Sequence, residues 1–214
     1  MIGQTLSVRA LHKTYAGSEH PVFDGFDLEV EAGTLCAIQG ESGVGKTTLL
    51  NCIAGLDGWE GGEISVGGEL IRPGDKTRMA LHRRRAVGLA FQQPHLLPEF
   101  TVRENLAMPL AIEGKSDEAW ISHLLEVVGL GELGQRFPNQ LSGGQAARAG
   151  LARALARKPS LWLMDEPTGN LDPATAGEVF GFLQRLHAEL RPTTLLVTHN
   201  AELAGRCERR VRLG

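Results

Sequence analysis

The chain has few cysteines, few aromatic residues and no long apolar run. Its 214 residues include three cysteines, and aromatic residues make up 5% of them. Cys36, Cys52 and Cys207 are far apart and form no CxxC pair, which favours buried free thiols in a reducing compartment over disulfides or a metal centre. No segment approaches the ~18 consecutive apolar residues of a membrane-spanning helix. Any action at a membrane would therefore require another subunit.

The chain also has no strong excess of charge. Its formal net charge is -3, which gives no reason to expect nucleic acid as a partner. The basic run Arg83 to Arg85 is interpreted as a solvated helix end. The segment Met1 to Gln4 does not have the layout of a signal peptide.

Apolar runs bounded by glycine alternate with helical patterns along most of the chain. This alternation predicts an α/β fold with a mainly parallel core sheet. The predicted buried strands cover Thr34 to Gln39, Ala86 to Phe91, Leu161 to Met164 and Thr193 to Thr198. Gly61 to Ile71 is predicted to form a hairpin with a Gly67-Gly68 turn.

A helix-rich block interrupts the alternation. Within it Trp120, Leu124, Val127 and Val128 recur at helical spacing, which is typical of a core-facing stripe. We therefore predict a single domain over residues 1–214. Its core covers about 1–92 and 158–214, and a helical subdomain over about 93–157 is inserted into that core.

A glycine-rich loop is the clearest phosphate-binding motif. Gly40 to Thr47 reads GESGVGKT and fits GxxxxGK[ST] between a predicted strand and a predicted helix. Backbone N–H groups of such a loop surround phosphate oxygens, and the helix N-terminus adds partial positive charge. Lys46 is expected to reach the β- and γ-phosphates, and the Thr47 hydroxyl to ligate Mg²⁺.

Two acids follow the predicted strand Leu161 to Met164. The carboxyl end of a parallel strand is where ligands bind in such sheets. Asp165 is suited to hold Mg²⁺ through water, and Glu166 to polarise an attacking water molecule.

A second anion-binding turn lies twenty residues before Asp165-Glu166, at Leu141 to Gln145. Ser142 is predicted to cap a helix that begins near Gly143, with the N–H groups of Gly143 and Gly144 exposed. The chain thus has two phosphate-facing loops and one lysine-bearing loop. This mismatch suggests that the two loops serve different nucleotides and that two chains act together.

Four further residues stand at predicted strand or helix ends. Gln92 follows one strand, where its amide is placed to reach Mg²⁺ and water, and Gln93 is an adjacent competitor for that role. His199 follows another strand and is placed to reach a γ-phosphate. Asp172 precedes a helix, where simple capping is the alternative role. Tyr15 is either an adenine-stacking aromatic or a structural residue at a strand end.

Together these motifs resemble the nucleotide-binding subunit of ATP-binding cassette (ABC) transporters over essentially the whole chain. The resemblance implies the ABC-type P-loop ATPase fold, with an antiparallel β subdomain and an inserted helical subdomain. It also implies ATP and Mg²⁺ as ligands. The nucleotide-binding residues it implies are Tyr15, Gly40, Glu41, Ser42, Gly43, Val44, Gly45, Lys46, Thr47, Thr48, Ser142, Gly143, Gly144, Gln145 and Asp172. It implies Glu166 as catalytic base, His199 and Gln92 as further catalytic residues, and Thr47, Gln92 and Asp165 at the metal.

The same resemblance implies how the molecule assembles. Two subunits would pack head to tail around two ATP molecules, each site joining one chain's Lys46 loop to the other's Ser142 turn. The partners would be integral membrane permease subunits, and the protein would be peripheral on the cytoplasmic face of the inner membrane. Leu96, Leu97 and Phe100 are apolar residues on a loop and are predicted to dock that partner.

Within the family the chain is most similar to the lipoprotein-releasing LolD type. The segments that carry this similarity are Pro167 to Asp172, His95 to Thr101 and Glu104 to Leu110. The related MacB-type exporters and FtsE-type cell-division ATPases remain alternatives. The chain departs from the usual pattern after the second turn, with Ala146 and Ala147 in place of bulkier polar residues and Gly150 in place of alanine.

Functions outside membrane transport fit the sequence less well. Soluble ABC ATPases of DNA repair contain a long coiled coil, and those of translation carry two cassettes; this chain has neither feature. A GTPase would need the guanine-reading motif NKxD, which is absent.

Overall fold

The structure is a computed structural model and describes residues 3–214. Met1 and Ile2, which belong to the segment considered above for a signal peptide and to the predicted core, lie outside the described residues. The strands are β1 Leu6–Lys13, β2 Phe23–Val30, β3 Leu35–Gln39, β4 Gly61–Val66, β5 Glu69–Ile71, β6 Val87–Phe91, β7 Leu161–Asp165, β8 Thr193–Val197 and β9 Arg209–Arg212. The α-helices are α1 Lys46–Ala54, α2 Lys76–Ala86, α3 Val102–Ala111, α4 Glu118–Val127, α5 Gly143–Leu155, α6 Pro173–Leu190 and α7 Ala201–Gly205.

The described chain divides into two compact units. The first contains the residues up to Leu89, together with Ser160–Asp165 and Arg191–Gly214. The second contains Ala90–Pro159 and Glu166–Leu190. The second unit therefore includes α6 in addition to the helix-rich block. The predicted boundaries of the core and of the inserted subdomain remain a prediction.

An antiparallel sheet of four strands belongs to the first unit, in the order β2-β1-β4-β5. Leu6 of β1 pairs with Val30 on one side and with Val66 on the other, and all three side chains are buried. The turn between β4 and β5 is Gly67-Gly68, and both glycines have positive φ, as a two-residue hairpin turn requires. The predicted hairpin is confirmed.

The second sheet has five strands in the order β6-β7-β8-β3-β9. β3 pairs in parallel with β8 and β9, and β7 pairs in parallel with β8. Strands β3, β7 and β8 are almost wholly buried, because a parallel sheet of this type is covered on both faces. Their carboxyl ends lie at one edge of the sheet, since parallel strands point the same way.

Helix α2 was not predicted as an element. Only its basic end was recognised, because a helix with a single buried residue, Met79, lacks the apolar period that predicts helices. Arg84 and Arg85 are exposed, as a solvated helix end requires. Arg83 is half-buried instead, and its guanidinium donates to the carbonyl oxygen of Gly55.

Helices α3 to α6 pack together in the second unit. Trp120, Leu124 and Val128 are buried there, and Val127 is half-buried, so the stripe is core as predicted. The indole N–H of Trp120 donates to the carbonyl oxygen of Ala156 at 3.0 Å. Among residues 3–214, no helix is both long enough and apolar enough to cross a membrane.

The three cysteines are free and buried, as predicted. Burial raises the pKa of Cys36 and of Cys207 to about 11, and burial raises the pKa of Cys52 to about 12.

Candidate active site

The glycine-rich loop connects the end of β3 to the start of α1, as the sequence predicts. A Cβ atom at Gly40 would lie 2.7 Å from the Leu213 carbonyl oxygen, and one at Gly45 would lie 2.5 Å from a methyl of Val22. Gly45 also has a φ of 102°, which favours glycine. Neighbouring atoms thus leave no room for a side chain at Gly40, where the loop leaves the sheet. At Gly45, where the loop enters the helix, both the lack of room and the backbone conformation require glycine.

The Lys46 side chain is folded back over this loop. Its ammonium donates to the carbonyl oxygen of Glu41 at 2.7 Å and to that of Gly40 at 3.0 Å. A lysine ammonium has three N–H donors, so these two carbonyls leave capacity for an anion. The charge is therefore held over the loop by the loop's own backbone.

Thr47 and Asp165 meet between α1 and β7. The Thr47 hydroxyl donates to Asp165 Oδ2 at 2.7 Å. Both oxygens are hard donors of the kind that Mg²⁺ prefers. In the part of the chain that the structure describes, no cluster of three or more His, Cys, Asp or Glu side chains has an arrangement that holds a metal ion.

Tyr15 follows β1 and is held by residues of α1 and of the loop after it. Its hydroxyl donates to Asp57 Oδ2 at 2.8 Å, and the Thr48 hydroxyl lies 3.2 Å from it. The residue is 42% exposed. Sequence reasoning missed Asp57, because no spacing rule connects a loop acid to a tyrosine forty-two residues earlier.

His199 follows β8, which lies beside the strand that precedes the glycine-rich loop. Val197 pairs with Ile38 of β3 and with Asp165 of β7, and the N–H of Thr198 donates to the Ile38 carbonyl oxygen at 3.3 Å. His199 is exposed. The parallel register thus brings the glycine-rich loop, Asp165 and His199 to the same edge of the sheet.

In the second unit, the side chains of Gln92 and Glu166 both come close to Gly169. A Cβ at Gly169 would be 3.1 Å from Gln92 Nε2 and 3.1 Å from Glu166 Oε2. The Gln92 amide donates to Asn170 Oδ1 at 2.8 Å. Glu166 has a φ of 47°, which is uncommon for a residue other than glycine and is typical of functional sites. Sequence reasoning missed Asn170, which orients the Gln92 side chain.

Ser142 caps α5, as predicted. Its hydroxyl accepts from the Gln145 N–H at 3.3 Å, and the Gln145 side chain accepts from the Ser142 N–H at 2.9 Å, which completes a capping box. A Cβ at Gly144 would lie 2.5 Å from the Thr175 methyl, whereas Gly143 has open space nearby. The turn therefore lies against the start of α6.

Asp172 caps α6. Its Oδ1 accepts from the backbone N–H groups of Ala174 and Thr175, each at 3.1 Å. The hydrogen bond from the Thr175 side chain, followed by that from the Thr175 backbone N–H, holds the pKa of Asp172 below its ordinary value. The capping role that the sequence analysis considered is present, and nucleotide binding by Asp172 remains a prediction.

Helix α5 also holds the loop that follows Gln92. The Arg153 guanidinium donates to the carbonyl oxygens of His95 at 2.6 Å and Pro94 at 3.2 Å. Gly150 faces Pro94 so closely that a Cβ there would lie 2.9 Å from the proline ring. The departure from alanine at position 150 therefore has a physical reason in this chain.

Comparison with known protein families shows to which family the chain belongs. The family model described as ABC transporter matches residues 23–169. The chain belongs to the ABC transporter family. That match spans the glycine-rich loop, the Ser142 turn and the Asp165-Glu166 pair, whereas Tyr15, Asp172 and His199 lie outside it.

Two members of the ABC family are similar to this chain over nearly its whole length. The lipoprotein-releasing system ATP-binding protein LolD of Xanthomonas euvesicatoria is 44% identical over 213 residues, which cover 97% of this chain and 87% of that protein. The protein of the same name from Anaeromyxobacter dehalogenans is 45% identical over 215 residues, with 98% and 90% covered.

A solved ABC structure has the same fold. The ATP-binding cassette MJ0796, in a dimeric post-hydrolysis state bound to ADP and Pi, superposes with a TM-score of 0.87 at 32% identity. The match covers 97% of this chain and 94% of that one. These comparisons confirm that the chain is an ABC-type ATPase with the predicted α/β fold.

Proposed function

We propose that this chain hydrolyses ATP as the nucleotide-binding subunit of a membrane complex that releases lipoproteins from the inner membrane. The observation that carries the proposal is the 44% identity with LolD proteins over 97% of the chain. The paired Thr47 and Asp165 oxygens beside the Lys46 loop support the ATPase part of it. Release of lipoproteins is the part of the proposal that distinguishes it from the functions of the related MacB-type exporters and FtsE-type cell-division ATPases.

The phosphates of ATP would bind in the loop from Gly40 to Thr48. Backbone N–H groups of Glu41, Ser42, Gly43, Val44 and Gly45 would surround phosphate oxygens, helped by the N-terminus of α1. Lys46 would exchange its two loop carbonyls for phosphate oxygens, which are stronger acceptors because they carry charge.

The donor set beside the loop fits Mg²⁺. The Thr47 hydroxyl would ligate the ion, the neighbouring Asp165 carboxylate would hold it through water, and Gln92 is the third predicted contributor. Water and phosphate oxygens would complete the shell, as is usual for this ion. When bound, Mg²⁺ neutralises charge that develops on the phosphates.

Glu166 would act as the general base. Its carboxylate and the Gln92 amide both come close to Gly169, and together they would orient one water molecule. The hydrogen bond from Gln92 to Asn170 fixes the amide with its carbonyl oxygen free to accept. His199 would contact the γ-phosphate from the end of β8.

The Ser142 turn would complete the site of a second copy of this chain. Its Gly143 and Gly144 N–H groups stand at the N-terminus of α5, and the capping box fixes their direction. The dimeric state of the similar cassette MJ0796 supports this arrangement. Asp172, in the adjoining α6 cap, would lie at the same interface.

The membrane partner would dock on the loop after Gln92. Leu97 is 37% exposed, and Leu96 and Phe100 are half-buried next to it. An integral membrane permease subunit is the expected partner, with this chain peripheral on the cytoplasmic face. Charged substitutions at Leu97 should weaken assembly with that subunit while leaving nucleotide binding unchanged.

The lipoprotein function is tested by reconstitution. The membrane subunits that co-purify with this chain would be placed in liposomes with an acylated lipoprotein, and its transfer to a soluble acceptor measured. ATP should cause release, and a non-hydrolysable analogue should not. ATP hydrolysis without release, accompanied by transport of a small molecule, would instead indicate a MacB-type exporter.

A further inference from the structure

Lys13 is a buried cation that the proposed hydrolysis does not use. Its side chain is 6% exposed, and its ammonium lies 3.2 Å from Asp57 Oδ1 and 3.9 Å from Glu60 Oε1. Burial alone would lower the pKa of Lys13, but the hydrogen bond and charge of Asp57 prevail and raise it. A charged group in this position needs such a partner, because an unpaired buried charge is strongly destabilising.

Asp57 connects this cation to Tyr15. One carboxylate oxygen accepts from Lys13 and from the Gly58 N–H at 2.9 Å, and the other accepts from the Tyr15 hydroxyl at 2.8 Å. Burial would raise the pKa of Asp57, but the hydrogen bonds from Tyr15 and Lys13 prevail and lower it. The backbone N–H of Asp57 donates to Asn51 of α1 at 3.2 Å, so the carboxylate is tied to that helix.

The Tyr15 ring is fixed at its hydroxyl and over one face. The Lys13 ammonium lies 4.5 Å from the ring centroid, within the range of a cation–π contact. The Tyr15 proton is donated to Asp57, so the Thr48 hydroxyl donates to the Tyr15 oxygen. Thr48 follows Thr47 in α1, so this bond fixes the ring relative to the helix that the glycine-rich loop opens.

Such a ring is a stacking surface whose position is already set. Aromatic stacking on a base stabilises its binding, and this contribution is lost when the ring is free to rotate away. Tyr15 is 42% exposed although its hydroxyl and one face are occupied. Part of the ring is therefore open to a flat ligand next to the phosphate loop.

We infer that Lys13 and Asp57 are positioning residues for the nucleobase, which hold the Tyr15 ring as its stacking surface. The inference rests on the proposed binding of ATP phosphates by the Lys46 loop. Neither residue needs to touch the nucleotide.

The test compares two ligands that share the phosphate chain. ATP and inorganic tripolyphosphate would be titrated into the purified chain by calorimetry, for wild type, Asp57→Asn, Lys13→Met, Tyr15→Ala and the phosphate-site variant Lys46→Ala. Tyr15→Ala should weaken ATP binding about tenfold and leave tripolyphosphate binding unchanged, because only ATP has a base to stack. Asp57→Asn and Lys13→Met should weaken ATP selectively as well, by a smaller factor than Tyr15→Ala.

Matched controls separate positioning from general damage. Glu63→Gln removes an exposed carboxylate outside this group and should change neither ligand. The double variant Lys13→Met with Asp57→Asn removes both charges, so no buried ammonium is left unpaired if Asp57→Asn alone unfolds. Tyr15 is the one tyrosine of the chain, so its ultraviolet titration reports directly whether Asp57 still contacts the phenol.

Two outcomes are distinguishable. If Tyr15→Ala lowers the affinity for ATP relative to tripolyphosphate but Lys13→Met, Asp57→Asn and the double variant do not, the positioning inference is overturned and the proposed function stands. If Lys46→Ala binds both ligands as tightly as wild type does, the proposed phosphate site itself fails.

Discussion

One or two hydrogen bonds set the position of each of three groups on which the proposed hydrolysis depends. Thr47 is oriented by Asp165, Gln92 by Asn170, and Lys46 by two carbonyls of its own loop. Glu166 has a left-handed backbone conformation, and its carboxylate lies close to Gly169, as the Gln92 amide does. The proposed hydrolysis therefore depends on the direction in which each of these side chains points. A substitution that replaces one functional group and keeps the size of the side chain is the informative test.

Glu166→Gln tests the proposed base. The amide cannot accept a proton, so phosphate release at saturating ATP should fall roughly 10²- to 10⁴-fold, while ATP binding is retained. Steady-state phosphate release and a binding titration measure the two effects. Glu178→Gln, at an exposed position of α6, is the matched control. Normal turnover by Glu166→Gln would show that another group is the base.

The cysteines give a prediction about pH. Because burial raises the pKa of Cys36 and Cys207 to about 11 and that of Cys52 to about 12, the folded protein at pH 8 should contain at least about a hundredfold less thiolate than ordinary cysteines would. Alkylation followed by mass spectrometry should find all three unmodified in the native protein and modified in guanidinium. Rapid native modification of any of them would contradict their burial.

At the scale of elements, α5 has two roles. Its first turn presents the Ser142 capping box, and its middle holds the loop after Gln92 through Gly150 and Arg153. A rigid helix thus connects the turn proposed to contact a second nucleotide with the loop proposed to dock a membrane partner. The contact at Gly150 is close enough to be tested by adding one methyl group.

Gly150→Ala and Gly177→Ala form a matched pair in helix interiors. Both should gain helix propensity, by roughly 1 kcal/mol. A Cβ at Gly177 meets nothing within 4 Å, whereas one at Gly150 meets Pro94 at 2.9–3.1 Å. Equilibrium urea unfolding should therefore show Gly150→Ala to be about 1–3 kcal/mol less stable than Gly177→Ala. Equal stabilities would mean that the loop moves aside at no cost.

At the scale of the whole molecule, the proposed active unit is a pair of chains. One chain contains the proposed loop, metal and base residues, and it also contains the Ser142 turn, which has no proposed role at the chain's own site. The dimeric state of the similar cassette MJ0796 fits that division. The proposal therefore predicts a defect in which a chain binds ATP normally and fails to pair.

Gly143→Asp should produce that defect. Position 143 has open space, its nearest contact being a Leu171 methyl at 4.0 Å, so the fold should be kept. The added carboxylate would repel the phosphates of a partner-bound nucleotide. In the Glu166→Gln background, ATP-dependent dimerisation measured by light scattering should be lost while ATP affinity is unchanged. Gly143→Ala is the uncharged control. A dimer that survives Gly143→Asp would contradict the shared site.

The sequence by itself determined the elements and motifs that follow from local pattern. The glycine-rich loop, the two acids at the end of β7, the Ser142 cap and the Gly67-Gly68 hairpin each depend on neighbouring residues, so spacing and residue type predict them. Helix α2 escaped prediction because it buries one residue and so lacks an apolar period.

Only the tertiary structure decided which distant residues share a site. The link from Asp57 to Tyr15, that from Asn170 to Gln92 and the contact of Gly150 with Pro94 join segments 42, 78 and 56 residues apart, respectively. No local pattern encodes these pairs, because they arise when the packed core fixes the ends of its strands and helices. The residue types of the phosphate site can be read along the chain, but the groups that hold them in place are set by packing.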